Sequence, residues 1–339
     1  MNICKFMALT ARKKAASGGS SDANSFVIGG SDNYGAWSFS TVSNHENWIQ
    51  HFDNTLTSGN ATDIGDMVSA TAGNAGVRGP NYGYSGGGAR ASNYHSNNVE
   101  YIDLASTSQN GTDKGDLNVS KSQSGGLSGP NYGYFCGGRT GTLTETNAIE
   151  YMDNDATSGN GTDKGDMQAA RGCVGVSGAT YGFMGMQVAW RYDGGTKSNV
   201  VDYYNTIDYM DIDTTTGNSS DKGDLNVIRG LGAGVYGSTY GYFCGGSDYQ
   251  FGTSQPDNEI QYIDITTTSG NASDKGDLTV AKMDMVGSSG ATYGFVCGGG
   301  KTGSSNAINE IDYFDVSTTL GNASDRGDLA AIVSTMAGV

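Results

Sequence analysis

The residues of this chain whose types and spacing could do chemistry form one repeating group, Asp-x-Gly-Asp. Its Gly-Asp pair stands at Gly65-Asp66, Gly115-Asp116, Gly165-Asp166, Gly223-Asp224, Gly276-Asp277 and Gly327-Asp328. Two carboxylates so close could hold calcium, but the ligand spacing of a helix–loop–helix calcium loop is missing. The expected role is capping of loop amides, or pairing with the Lys before the glycine, and no metal is expected there. Arg326-Gly327-Asp328 spells an adhesion tripeptide, yet it is simply the sixth copy of Lys-Gly-Asp. Asn-x-Ser/Thr accompanies each copy, at Asn60, Asn110, Asn160, Asn218, Asn271 and Asn322. This is a glycosylation pattern, but Asn beside Gly also tolerates the left-handed backbone of a tight turn. The turn role is the expected one.

Catalysis finds little support. His45 and His95 stand in loops and His51 in a strand, with no Ser or Cys nucleophile motif nearby. A non-enzyme is expected, with no cofactor. Five cysteines show no CxxC or Cys/His spacing suited to zinc. Cys136, Cys244 and Cys297 occupy one position in three repeats, too far apart to bridge, and read as buried thiols. The formal charge is −16, from 19 basic and 35 acidic residues. Three recurrent Asp in each of six copies supply eighteen of those acids, so the acidity belongs to the scaffold loops. Such a body is a poor partner for nucleic acid. No apolar run is long enough for membrane insertion, and Lys5 interrupts the apolar stretch at the N-terminus, unlike a secretory signal.

The copies must be held by repeating elements. Their Gly-Asp pairs lie 50, 50, 58, 53 and 51 residues apart, a period that β-propellers share. Each unit reads as four short strands. In the third, residues 131–138 form an apolar strand ended by Gly137-Gly138, and residues 147–153 form the next. There Ile149 and Tyr151 share one face and Met152 takes the other, which suits a sheet packed between two neighbours. Lys164-Gly165-Asp166 begins an outer strand, and Gly172 to Gly178 are small enough to crowd about a central axis. Residue 25 enters at a second strand, and residues 331–338 read as an inner strand. The chain end is therefore expected to complete the first blade, with Val333 to Val339 paired to residues 25–28, and so to remove the exposed edges.

These features resemble kelch-repeat propellers. The double glycines (Gly29-Gly30, Gly87-Gly88, Gly137-Gly138, Gly245-Gly246, Gly298-Gly299), the Tyr-x-Asp of the third strand and the Lys or Arg opening the inner strand (Lys121, Arg171, Arg229, Lys282) carry the resemblance. Leu or Met replaces the usual Trp after Gly-Asp, and Met186-Gln187 replaces one double glycine. The resemblance implies an all-β fold: a six-bladed kelch-like propeller of four-stranded blades over residues 25–339, closed by the C-terminal strand. The repeats run about 25–80, 81–130, 131–180, 181–239, 240–292 and 293–339. Their wording, Tyr-Ile-Asp followed by Gly-Asn-Ala-Ser-Asp-Lys-Gly-Asp-Leu, is also similar to repeats in structural proteins of marine phages. That implies a virion protein, a capsid- or tail-associated appendage or fibre. The competing class is a carbohydrate- or protein-binding propeller of a cell, extracellular or at its surface.

Two regions depart from the repeat. The loops after the double glycine carry Tyr34, Trp37 and Phe39 in the first unit. The fourth carries Trp190, Arg191, Tyr192, Tyr203 and Tyr204, and the fifth Tyr249 and Phe251. Aromatics among Asn, Asp and Ser suit contact with a saccharide or a protein, such as a host polysaccharide or receptor. Alternatively they pack onto their own blades. Residues 1–24 form a basic arm, in which Arg12, Lys13 and Lys14 follow the apolar Ile3, Phe6, Met7 and Leu9. The arm is expected to dock the propeller on other virion proteins; the alternative is a frayed tail.

Overall fold

The computed structural model describes residues 23–31, 45–90, 95–141, 144–192, 199–250, 253–301, 307–334 and 336–339. All its regular elements are strands, apart from a 3-10 residue at Ala23. The docking-arm residues Ile3, Phe6, Met7, Leu9, Arg12, Lys13 and Lys14 lie outside the described residues, as do Tyr34, Trp37, Phe39 and Phe251.

Six antiparallel sheets form the six blades of a β-propeller. In the third blade the order from the axis outward is Gly125–Ser128, Tyr132–Cys136, Ala148–Asp153 and Thr162–Asp166. The inner strands of the second, fourth, fifth and sixth blades are Ala72–Arg78, Gly172–Ser177, Ala233–Tyr236 and Val286–Ser289. The first blade takes its inner strand from the chain end. Ala337–Gly338 pairs with Asn24–Ser31, Val27 facing Gly338 and Ile28 facing Ala337. The Phe26 amide donates to the Val339 carbonyl at 3.0 Å, and the Val339 amide donates back at 3.1 Å. This is the closure expected from the repeat pattern, but the paired stretch is shorter than the expected Val333 to Val339. Ala337 to Val339 lie along Phe26 to Ile28, and Ser334 forms an isolated bridge with Ser31 instead.

Apolar residues on both faces of each blade go to six clusters, one at each junction between neighbours. Ile28, Ile49 and Ala337 of the first blade meet Ile102 and Leu104 of the second, and Phe295 and Ile311 of the sixth meet Val27 and Phe52 of the first. A core divided in this way lets no blade bury its faces alone. Tyrosines from the second and third strands brace the second to sixth blades edge-on, as in Tyr132–Tyr151 at 5.2 Å and Tyr240–Tyr262 at 5.5 Å. In the first blade His51 fills the tyrosine position. It bonds Asn24 Oδ1 at 2.9 Å and lies 5.2 Å from the Phe26 ring.

The axis is made of six glycines, one per inner strand: Gly76, Gly126, Gly175, Gly234, Gly287 and Gly338. A Cβ on each would lie 1.9–2.2 Å from the carbonyl oxygen of the preceding glycine of the ring. Nothing larger than hydrogen fits, so adjacent backbones touch here. Because Gly338 is a member, the chain end belongs to the constriction as well as to the first sheet.

Candidate binding face

The Asp-x-Gly-Asp groups serve the scaffold. In every blade the register between third and outer strands slips by one residue, as where Ile149 faces Gly165 but Glu150 faces Asp163. The skipped residue is Lys164, and its equivalents are Lys114, Lys222, Lys275 and Arg326, with Ile64 in the first blade. Such a bulge re-aims a side chain. Here it sends the cation to the next blade, where Lys164 Nζ donates to the Thr214 and Thr216 carbonyls at 2.7 and 3.2 Å. Lys275 reaches Thr318 and Leu320, and Arg326 closes the ring onto Asp53, Leu56 and Gly59 of the first blade. The Asp before the cation caps the glycine amide after it, for example Asp274 Oδ1 from Gly276 at 3.0 Å. Capping is thus the Asp's role, and the cation bonds neighbouring carbonyls rather than that Asp.

The turn Asn is a second latch. Asn271 Oδ1 accepts from the Asp224 amide of the preceding blade at 3.0 Å, and Asn60 Oδ1 accepts from Asp328 at 3.1 Å across the closure. The left-handed backbone expected at the Asn falls instead on the glycine before it, with φ between 107° and 118° at Gly59, Gly159, Gly217, Gly270 and Gly321. The sequence pattern could not reveal the latch, because its partner is a backbone amide of another repeat. A third contact comes from the buried polar residue of the third strand. Gln50, Glu100, Glu150, Asp208 and Gln261 each accept a backbone amide from the preceding unit.

The cations expected to open the inner strands are also structural, but Lys121 and Lys282 end the outer strands Thr112–Lys121 and Ser273–Lys282 of the preceding blades. Their backbones still pair there with Ser96 and Asp257, and only Arg171 directly precedes an inner strand. Lys121 and Glu150 form an ion pair at 2.9 Å, and Lys282 and Asp312 one at 3.1 Å, all but completely buried. Arg229 lies between Asp257 and Glu259 at 3.1 and 3.3 Å. Arg171 stacks 3.5 Å above the Tyr204 ring and donates to Gln187 and Thr206.

What remains for binding is the opposite face, where the chain leaves the second strands. Two ribbons rise there from adjacent blades. Residues 187–192 pair with 199–204, Trp190 facing Val201, and Ser247–Gln250 pairs with residues 253–256. The two ribbons are in contact. Of the aromatics singled out in the sequence, Tyr203 and Tyr204 are half-buried. Tyr204 is the platform of Arg171, and the Tyr203 ring lies against Gly230. The backbones of Trp190, Arg191, Tyr192 and Tyr249 belong to the ribbons.

Met186 takes φ 50° where other blades use glycine, so the fourth ribbon leaves its blade through the same left-handed step. His95 binds Ser122 Oγ at 3.0 Å, and burial brings its pKa down to about 4. Cys136, Cys173, Cys244 and Cys297 are buried free thiols, and burial pushes Cys173 and Cys297 up to about 12. Among the described residues no group of three or more His, Cys, Asp or Glu could hold a metal ion.

The axis holds a cavity of about 160 Å3 lined by inner strands of all six blades. Beside it a second, of about 100 Å3, lies above the glycine ring between Asn74, Gln123, Ser124, Met186, Leu231 and Asp284. Sequence reasoning missed this mouth, because its residues occupy the stretch where the repeats agree least. Among known proteins, no family model matches the chain and no curated protein matches it.

Proposed function

We propose that the protein is a non-enzymatic structural protein of a phage virion, an appendage of capsid or tail that displays its ribbon face to a host surface or a protein partner. One observation carries this reading: the unequal use of the two faces. The turn face is spent on repeated contacts between blades, while the departures from the repeat rise as ribbons on the other. A rigid ring with one variable face suits display. The similarity of the repeat to phage structural proteins supports the virion setting. The basic arm, residues 1–24, then docks the ring on neighbouring virion proteins, burying Ile3, Phe6, Met7 and Leu9 with Arg12, Lys13 and Lys14 against carboxylates. Apolar burial dominates that attachment, since exposed ion pairs contribute only ~0–1 kcal/mol each.

The test is mass spectrometry of purified particles, with a parallel chain beginning at Ser20. The full chain should be found in the particle at fixed stoichiometry, and the shortened one should fold but fail to join. Finding the protein only in cell-surface or secreted fractions would overturn the virion reading in favour of a cellular carbohydrate- or protein-binding propeller. Full incorporation of the shortened chain would make the ring, not the arm, the docking surface.

A further inference from the structure

The mouth of the axial cavity is lined by oxygens that have nothing to accept. Asp284 is 7% exposed, and its carboxylate has no hydrogen bond or ion pair among the described residues. Elsewhere on the lining of the same cavity, at the second and third blades, the buried Asn74 Oδ1, Gln123 Oε1 and Ser124 Oγ also lack partners among the described residues. The Asn74 amide nitrogen is already committed to Ser85. The unmet capacity of the site is therefore three neutral oxygens and one carboxylate. Leaving the three neutral oxygens buried and unpaired opposes folding.

The backbone is fixed to hold them. Gln123 and Asp284 are two of only four non-glycine residues with positive φ among the described residues, at 55° and 56°. Each sits in a left-handed step at the entry to its inner strand. The Gln123 amide donates to Gly73 at 2.6 Å and the Asp284 amide to Leu231 at 2.7 Å. Strain of this kind, repeated around one opening, accompanies binding sites. Met186, Leu231 and Met285 supply an apolar flank to the same cavity.

We propose that this mouth is a binding site for a primary alkylammonium group, whose three N–H donors meet the oxygens and whose alkyl chain lies along the apolar flank. An ammonium offers donors only, so it answers a site whose unpaired groups are acceptors except for the Ser124 hydroxyl, which can also donate. It also neutralises Asp284, whose burial otherwise raises its pKa to about 7. A bare inorganic cation would match the oxygens but gain nothing from the methionines and leucine. The site is independent of the virion reading, since it requires only the ring. The group could arrive on a free diamine or on a lysine side chain of a partner.

Calorimetric titration of the full chain in amine-free phosphate buffer tests this. The probes are 1,4-diaminobutane, Nα-acetyl-lysine methylamide, its Nε-acetylated counterpart, KCl and CaCl2. Both ammonium probes should bind, the Nε-acetylated form should not, and D284N should weaken binding at least tenfold. Tighter binding of the diamine points to a free diamine as the natural source, and tighter binding of the lysine derivative to a partner's lysine. Q123M, with the carboxylate intact, should weaken binding severalfold and serves if D284N folds poorly. Equal binding of the Nε-acetylated probe, stronger binding of potassium or calcium, or no binding by either ammonium probe would overturn the assignment.

Discussion

Lys282 and Asp312 show how a residue that looks available for chemistry can be fully consumed by the scaffold. Both are 0% exposed, and they pair at 3.1 Å between the end of the fifth blade's outer strand, Ser273–Lys282, and the third strand of the sixth blade. Removing one partner leaves a buried charge without a counter-ion, so Lys282→Met should destabilise the protein by ~3–5 kcal/mol in chemical denaturation. The double change Lys282→Met with Asp312→Leu should recover most of that loss. Asp284 makes the opposite case. Its folded pKa, about 7, lies above the ordinary aspartate value of 3.8, with burial as the sole cause. The ionised form therefore opposes folding, fully above about pH 7 and less as pH falls towards the unfolded value. In amine-free buffer, Asp284→Asn should raise the melting temperature clearly at about pH 8, and the two melting curves should draw together near pH 4. The sequence could mark Lys282 as special because a Lys or Arg recurs shortly before the inner strand in other repeats, at Lys121, Arg171 and Arg229. Asp284 recurs nowhere, so the three-dimensional opening alone distinguishes it.

At the scale of elements, the double glycines and the alternation of Ile149, Tyr151 and Met152 were enough to place the second and third strands. The outer strands were legible too, but their bulge was not. A bulge depends on which residue of the facing strand is skipped, and only the register reveals that Lys164 is the one. The ribbons were legible as departures from the repeat, whereas the use of Tyr204 as a platform for Arg171 depends on a fold-level contact. Two glycines separate close approach from backbone conformation. A Cβ at Gly175 would meet the Gly126 carbonyl oxygen at 2.1 Å, whereas one at Gly159 would meet nothing within 4 Å and would suffer only from φ 118°. Gly175→Ala must widen the ring, so its cost should reach or pass the top of the ~1–3 kcal/mol range of overpacking. Gly159→Ala should cost about 1–2 kcal/mol, the strain of a positive φ for an L-residue. Equal costs in urea unfolding would mean that the inner strands are not in contact through their glycines.

For the whole molecule the account requires a ring. Six clusters at six junctions, the cations passed from each outer strand to the next blade and the circle of axial glycines depend on every blade having a neighbour on both sides. The period of about 50 residues makes that architecture readable in the sequence, because six similar units with a split first blade close in one simple way. The Arg326 contacts, the Asn60 latch and the Gly338 position all lie at the seam between sixth and first blades, which the last residues hold shut. The most direct measurement is equilibrium unfolding, with size determination by light scattering, of a chain ending at Ala330. Without residues 331–339 the second strand of the first blade is an open edge and the seam loses its inner contact. The ring account predicts aggregation, or a broad non-cooperative transition at a much lower midpoint. A soluble monomer that unfolds in one sharp step at the midpoint of the full chain would contradict it.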